Sequence, residues 1–577
     1  MVRRSEEVVA TQTLNLGVYL APVRERIRGL EERQIGGRLW RKDPGLWKTD
    51  PKNQEIIRNA LGWLHVAEKM EENLDDLAKF VAEVRSVGFR HVVHMGMGGS
   101  SLAPLAFEKI LPRSPNFLPL TVLDTTDAAT ILGIERNVPI GQTLFIVASK
   151  SGTTAEPLAF GEYFYAKVRA VKGDRAGENF VAITDPETPL GQLAKKRGFR
   201  QTFLSLADIG GRFSALSHFG LVPAALTGVN VGELIVRARR MARACGPGVP
   251  ISENPGVILG VVLGELALRG RNKITFLIPE SMATLGLWLE QLLAESTGKE
   301  GTGVLPVAEE PLAGLPAYGE DRLFAYIRLQ DEIDDSLERL VADLQKAGQP
   351  AVAIHMEDRL DLAQEIFRWE VATATAGAIL GINPFDQPNV QESKDNTNRL
   401  LTEVRQAGRL PEPAPNLMAG PLGFFMAEQA ENARELLKAF FAKAKPGDYL
   451  ALQAYLTETP ATTQALQTIR QLLRDHLRLA TTLGYGPRFL HSTGQFHKGG
   501  PNTGLFLQLT ADDTEDTPIP ATPYTFGIFK RAQALGDLQA LRKHGRRVIR
   551  VHLGADVFQG LTALAKTIEE VLPQRPG

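Results

Sequence analysis

Short apolar runs of strand length alternate with stretches of helical spacing through most of this chain, and that alternation limits the fold more than any other feature. One set of runs is HisValValHisMet at 91, ThrValLeuAsp at 121, LeuPheIleValAla at 144 and PheValAlaIleThr at 180. Strands joined through helices pair as parallel neighbours, and a parallel sheet needs helices on both faces. A second set, LysIleThrPheLeuIlePro at 273, PheAlaTyrIleArgLeu at 324 and AlaValAlaIleHis at 351, predicts a second such unit. Beyond the proline-rich stretch from 410, strand candidates recur as LeuPheLeuGlnLeu at 505, ThrPheGlyIlePhe at 525 and ValIleArgValHis at 548, with a polar loop over 510–520. Before His91 the apolar residues recur at helical spacing. The expected fold class is therefore α/β: an N-terminal helical segment over 1–85, a first doubly wound parallel-sheet domain over 86–235, a second over 236–408, and an extra C-terminal α/β region over 409–577.

At 577 residues the chain exceeds what a single core organises, and 44% hydrophobic residues supply material for several. With 65 basic and 66 acidic residues, nothing global draws it to nucleic acid or to an anionic membrane, so any anion must be recognised locally. The one cysteine, Cys245, has no second thiol for a disulfide or a metal. Acids follow Arg3 and Arg4 where a signal peptide would be apolar, and the apolar stretch Pro255 to Leu268 is too short to span a bilayer. The expectation is a cytoplasmic protein with a small-molecule partner, as a monomer or homodimer.

Two loops follow strand-sized runs directly. Gly96-Met97-Gly98-Gly99-Ser100-Ser101 follows the run at 91, and Ser149-Lys150-Ser151-Gly152-Thr153-Thr154 follows the run at 144. Ligands of parallel sheets bind at strand carboxyl ends, where glycines admit an anion and hydroxyls and helix N-termini donate to it. A dinucleotide fingerprint would need glycine where Ser101 stands, and no P-loop lysine is present. The same loops would also serve as ordinary strand-to-helix turns.

Four segments carry acid–base candidates. Glu295 falls in the last turn of a helix that Gly298 should cap, where the helix dipole disfavours negative charge, and Gln291 lies one turn earlier on the same face. Arg212 follows Gly210 and Gly211, which clear space beside a permanently charged guanidinium. Gln387 and Lys394 are seven residues apart, close to two turns, with Pro388 at a helix start. His491 and His497 share a glycine-rich loop suited to proton transfer.

Together, and in this order, the segments GlyMetGlyGlySerSerLeuAlaPro, SerLysSerGlyThrThrAlaGlu, GlyGlyArgPheSerAlaLeuSer, GluSerThrGlyLys and AsnProPheAspGln with Lys394 resemble the phosphoglucose isomerase family over roughly residues 90 to 400. More closely, the chain resembles the isomerase half of bifunctional transaldolase/glucose-6-phosphate isomerase proteins. The resemblance implies two sugar-isomerase (SIS) type domains and interconversion of D-glucose 6-phosphate and D-fructose 6-phosphate, in glycolysis and gluconeogenesis, with no metal and no organic cofactor. It implies phosphate and substrate contacts from Gly99, Ser100, Ser149, Lys150 (through its backbone), Ser151, Thr153, Thr154, Gln291 and Gln387. Arg212 would stabilise the cis-enediol(ate), Glu295 would carry the proton between C2 and C1, and Lys394 with a histidine would open the ring. Alternatives on the same fold are an isomerase acting on mannose 6-phosphate and a non-catalytic sugar-phosphate sensor.

Two departures stand out. The phosphate loop has Gly152 where the family carries a bulkier residue. The family histidine lies between the glutamate and the lysine and comes from a neighbouring subunit; here only His355 lies between them, in a predicted strand. The expectation is that His491 or His497, in the C-terminal loop, replaces it, from the same chain or from a neighbouring one.

Overall fold

The computed structural model describes residues 11–426 and 430–573. Its first element is a strand, β1 (Gln12–Asn15), so the N-terminal segment is not helical throughout. Helices including Leu20–Glu32 and Leu74–Ser86 follow. The first sheet contains β2 (His91–Met95), β3 (Leu120–Leu123), β4 (Thr143–Ala148), β5 (Phe180–Thr184) and β6 (Gln201–Leu204). All are parallel, in the order β3-β2-β4-β5-β6. The order reverses between β2 and β4, and the two loops singled out above leave the carboxyl ends of those strands, the crevice where doubly wound sheets take ligands. Helix α1 (Ala155–Lys172) follows the second loop.

The second unit opens with α2 (Pro255–Leu268), the apolar stretch, buried along nearly its whole length. Among the described residues no helix is long and apolar enough to cross a membrane. Strand β7 (Lys273–Leu277) leads into α3 (Ala283–Thr297), then come β8 (Leu305–Val307), β9 (Arg322–Leu329), β10 (Ala351–Met356) and α4 (Leu362–Leu380). The order is β1-β10-β9-β7-β8, parallel except for β1, which pairs antiparallel with β10 and covers that edge. Because α3 returns from the carboxyl end of β7 to the amino end of β8, its last turn lies at the amino edge of the second sheet. Helix α5 (Pro388–Ala407) follows, and the proline-rich stretch after it is a connection.

The third unit holds β11 (Leu417–Ala419), β12 (Leu422–Phe425), β13 (Tyr449–Tyr455), β14 (Ala480–Tyr485), helix α6 (Gly494–Gly499), β15 (Gly504–Thr510), helix α7 (Phe526–Lys543) and β16 (Arg547–His552). Its order is β11-β12-β16-β15-β13-β14, four parallel strands with an antiparallel pair at one edge. The run at 525, expected as a strand, starts α7 instead. The Thr525 hydroxyl accepts from the Ile528 amide, and Phe526 and Phe529, one turn apart, bury in the core of the first unit. Gly298 ends α3 in a different way from that expected. Its φ is −78°, and a Cβ there would come within 2.4 Å of the Phe496 backbone, so the glycine serves the contact between α3 and α6.

Candidate active site

Gly99 determines where the arginine stands. A Cβ at this position would fall 2.0 Å from the Gly211 carbonyl oxygen, so only glycine lets the loop after β2 lie on the turn carrying Arg212. The Arg212 side chain is buried and its five N–H donors are well used. Nε donates to the Ser296 hydroxyl at 2.6 Å, Nη2 to the Pro384 and Asp386 carbonyls at 2.6 and 2.9 Å, and Nη1 to Gln387 Oε1 at 3.0 Å. Nη1 also lies 3.6 Å from Glu295 Oε1. Glu295 is 8% exposed and is held from the same helix by Gln291, whose Nε2 donates to Glu295 Oε2 at 3.0 Å.

The same Gln291 Nε2 donates to the His491 carbonyl at 2.8 Å. The third unit thereby puts His491 directly against α3. On its other side the His491 ring donates from Nε2 to Glu156 Oε1 at 3.0 Å, and Gln533 Nε2 donates to that oxygen at 2.7 Å. Burial alone would raise the Glu156 carboxyl; the charge and hydrogen bond of His491, with Lys394 farther off, hold it below its ordinary value. In its neutral form a histidine that donates Nε2–H to a carboxylate has Nδ1 as its basic nitrogen.

A cavity of about 250 Å³ opens in front of this pair, with Thr153, Thr154, Glu156, Lys394, His491 and Gln533 among its walls. Ser151 also lines it, its hydroxyl 2.9 Å from that of Thr153. Ser149 supports the loop from beneath, donating to the Thr154 hydroxyl at 3.0 Å. Lys150 turns its side chain away, to the Asp185 carboxylate and the Ala207 carbonyl, leaving its backbone to the loop. Gly152 has φ +66°, and a Cβ would come within 2.6 Å of Thr188 Cβ. No bulkier residue fits there, which accounts for the first departure from the family pattern.

Ser100, in the loop after β2, sits above His94, which donates to the Ser100 carbonyl at 2.6 Å. Glu295, Arg212, Gln291 and Gln387 do not line the cavity; they gather behind Gly98 and the His491 turn, joined to it through Gln291. Gln387 and Lys394, expected on one side of α5, divide the same way, Gln387 to Arg212 and Lys394 to the cavity.

His497 is corrected. It is 2% exposed, its Nδ1 lies 2.9 Å from the Tyr449 hydroxyl, and its ring stacks on Tyr449 at an interplanar angle of 19°. Burial, with Lys498 and Arg546 near, pushes its imidazole well below the ordinary range. It is a neutral packing residue and has no access to the cavity. Glu156, Gln533 and Lys299 were not singled out from sequence. Lys299, in the quoted GluSerThrGlyLys, is pushed down to about 8 by burial and by Arg212, and fastens Asp386 through that residue's carbonyl at 2.5 Å and carboxylate at 2.7 Å. Glu156 ends the quoted phosphate-loop segment, yet its partner is 335 residues away.

A family model described as phosphoglucose isomerase matches residues 58–314. A glucose-6-phosphate isomerase of Rubrobacter xylanophilus is 30% identical over 390 residues, which cover 59% of this chain and 88% of that protein. One of Carboxydothermus hydrogenoformans is 29% identical over 402 residues, covering 60% and 85%. Among solved structures, a hypothetical protein from Thermus thermophilus superposes with a TM-score of 0.55 at 25% identity, over 69% of this chain and 100% of that one. A glucose-6-phosphate isomerase from Chlamydia trachomatis gives 0.50 at 21% identity, over 66% and 79%, a likeness of fold.

Proposed function

This chain belongs to the phosphoglucose isomerase family, and from that premise we propose that it interconverts D-glucose 6-phosphate and D-fructose 6-phosphate through ring opening and a cis-enediolate. The observation that carries this is the double hydrogen bond of Gln291, which ties the Glu295 carboxylate and the His491 turn to one amide. A carboxylate beside a buried guanidinium suits proton transfer at carbon, and a histidine paired with a carboxylate beside a lysine suits proton transfer at oxygen.

In this reading the hydroxyls of Ser151, Thr153 and Thr154 and the loop backbone hold the phosphate, with Ser149 and Ser100 supporting them. Lys394 protonates the ring oxygen as its bond to C1 breaks, while His491 Nδ1 takes the C1 hydroxyl proton. With the opened sugar extended past the His491 turn to the Glu295–Arg212 pair behind the cavity, Glu295 removes the proton from C2, the electron pair forms the enediolate double bond, and Arg212 faces the oxyanion. Lys394, now neutral, takes the C2 hydroxyl proton, the protonated His491 gives its proton to O1, and the Glu295 carboxyl returns its proton to C1, leaving the carbonyl at C2. The third unit supplies the histidine in cis, so one chain suffices for the reaction.

The test is a coupled assay of fructose 6-phosphate conversion, with mannose 6-phosphate compared, and the variant Glu295→Gln. That substitution keeps the shape and loses the base, so turnover should fall by about 10³-fold or more. Exchange between the α and β anomers, which needs only ring opening, should persist. More than a tenth of wild-type turnover in the variant would assign the base elsewhere.

A further inference from the structure

The segment Asp124-Thr125-Thr126-Asp127 leaves the carboxyl end of β3 and meets the third unit at three points. The Asp124 carboxylate accepts two bonds from Arg488, Nε to Oδ2 at 2.8 Å and Nη2 to Oδ1 at 2.9 Å. The Thr126 hydroxyl donates to Gln533 Oε1 at 2.7 Å. Asp127 Oδ1 accepts from Lys530 Nζ at 2.7 Å and from the Thr457 hydroxyl at 3.1 Å. Asp124, Thr126 and Asp127 are each 2% exposed or less, and none of them lines the cavity.

What two of these contacts hold is informative. Arg488 begins the single short turn, Arg488–His491, that ends in the histidine. A bidentate guanidinium–carboxylate pair fixes direction as well as distance, so Asp124 sets how that turn enters the site. Arg488 Nη1 spends its remaining capacity on Glu458 Oε2 at 2.9 Å, within the third unit. Gln533 presents its amide to Glu156, and a side-chain amide can point either its oxygen or its nitrogen at a carboxylate. The Thr126 hydroxyl occupies the oxygen, which turns the nitrogen toward Glu156 Oε1. The Glu156 carboxylate favours that same orientation, so the Thr126 bond adds to it and holds the Gln533 oxygen end in place from the far side.

We propose that Asp124 and Thr126 are positioning residues for ring opening, Asp124 aiming His491 through Arg488 and Thr126 aiming Glu156 through Gln533. This rests on the reading of His491 and Glu156 as the acid–base pair. Asp127 with Lys530 belongs to the same contact but anchors α7 without touching either member of the pair.

The test uses the full chain with three variants, each measured for kcat, KM, anomer exchange and thermal midpoint. Arg488→Met should lower kcat and anomer exchange together by about 10²-fold, the effect of a misplaced acid–base group, with KM within about twofold. Thr126→Val should lower both by about tenfold, the loss of one buried hydrogen bond, and Thr126→Ser should restore them. Lys530→Met removes a more deeply buried ion pair from the same contact, together with the bridge from Lys530 to Asp513; it should lower the midpoint and keep kcat within about threefold. Wild-type anomer exchange in Arg488→Met and Thr126→Val would overturn the proposal, as would an equal loss of turnover in Lys530→Met. If Arg488→Met does not fold, the Thr126 pair of variants decides. His491→Asn separates the two readings: if it keeps wild-type anomer exchange, the parent assignment fails, whereas if it loses exchange while Arg488→Met and Thr126→Val are fully active, only the positioning role fails.

Discussion

His491 and His497 lie six residues apart in one glycine-rich segment, and nothing in their local wording separates them. Only tertiary neighbours do so: Glu156 and Gln291 for the first, Tyr449 for the second. The substitutions His491→Asn and His497→Phe should therefore diverge. The first should lower turnover on cyclic substrate by about 10²-fold or more at nearly unchanged thermal midpoint. The second strands the Tyr449 hydroxyl in the core and should cost about 1–3 kcal/mol of stability, with turnover per folded molecule retained. Steady-state rates beside denaturant titrations check both. Glu156 escaped the sequence for a related reason. It stands two residues beyond the hydroxyl loop, where an acid in the first turn of α1 is ordinary helix chemistry. Glu295, Arg212 and the two loops were singled out because their segments, taken together and in order, match one family; singly, each passes as an ordinary turn or helix end.

Among elements, β2, β3, β4, β5, β7, β9 and β10 fall on apolar runs bounded by turn residues, while β1, β6 and β8 of the same two sheets are too short or too polar to stand out. In the third sheet β13 carries such a run, TyrLeuAlaLeuGlnAlaTyr, outside the expected strands, and β14 carries none. ThrThrLeuGlyTyr in β14 has too few apolar residues to signal a strand and takes its conformation from pairing with β13. The run at 525 misled in the opposite sense, because a short buried apolar stretch has no period that separates strand from helix. At this scale the contact of the loop after β2 with the Arg212 turn is the one most open to test. Gly99→Ala places a Cβ against the Gly211 carbonyl and can be relieved only by moving backbone. Turnover should fall by about 10²-fold and stability by about 1–3 kcal/mol. Gly29→Ala, in the helix Leu20–Glu32 with open space around it, should leave turnover alone and raise stability by about 0.5–1 kcal/mol.

For the whole molecule, buried neutral histidines link stability to pH. His94 is fully buried, and burial pushes its imidazole down from 6.5 to about 4. Below pH 6.5 the unfolded chain takes a proton that the folded chain refuses, so this contribution is complete above 6.5 and is lost as pH falls toward 4. One such group amounts to about 3 kcal/mol across that window. His497 acts in the same direction. The buried carboxyls of Glu290 and Glu365, pushed up to about 8 and about 7, act in the opposite sense over this window, so the difference between proteins is the test: from pH 6.5 to 4.5 the thermal midpoint of His94→Asn should rise relative to wild type, and a constant difference would show that His94 carries no part of the linkage.

The site draws on residues from Gly98 to Gln533, and that span has a consequence for synthesis on the ribosome. A nascent chain that has emerged only as far as the end of α5 already contains both hydroxyl-bearing turns, Arg212, Glu295 and Lys394, but neither His491 nor Gln533. Under the proposed mechanism such an intermediate takes up sugar phosphate without opening it, and catalytic competence arrives only once the third unit has folded.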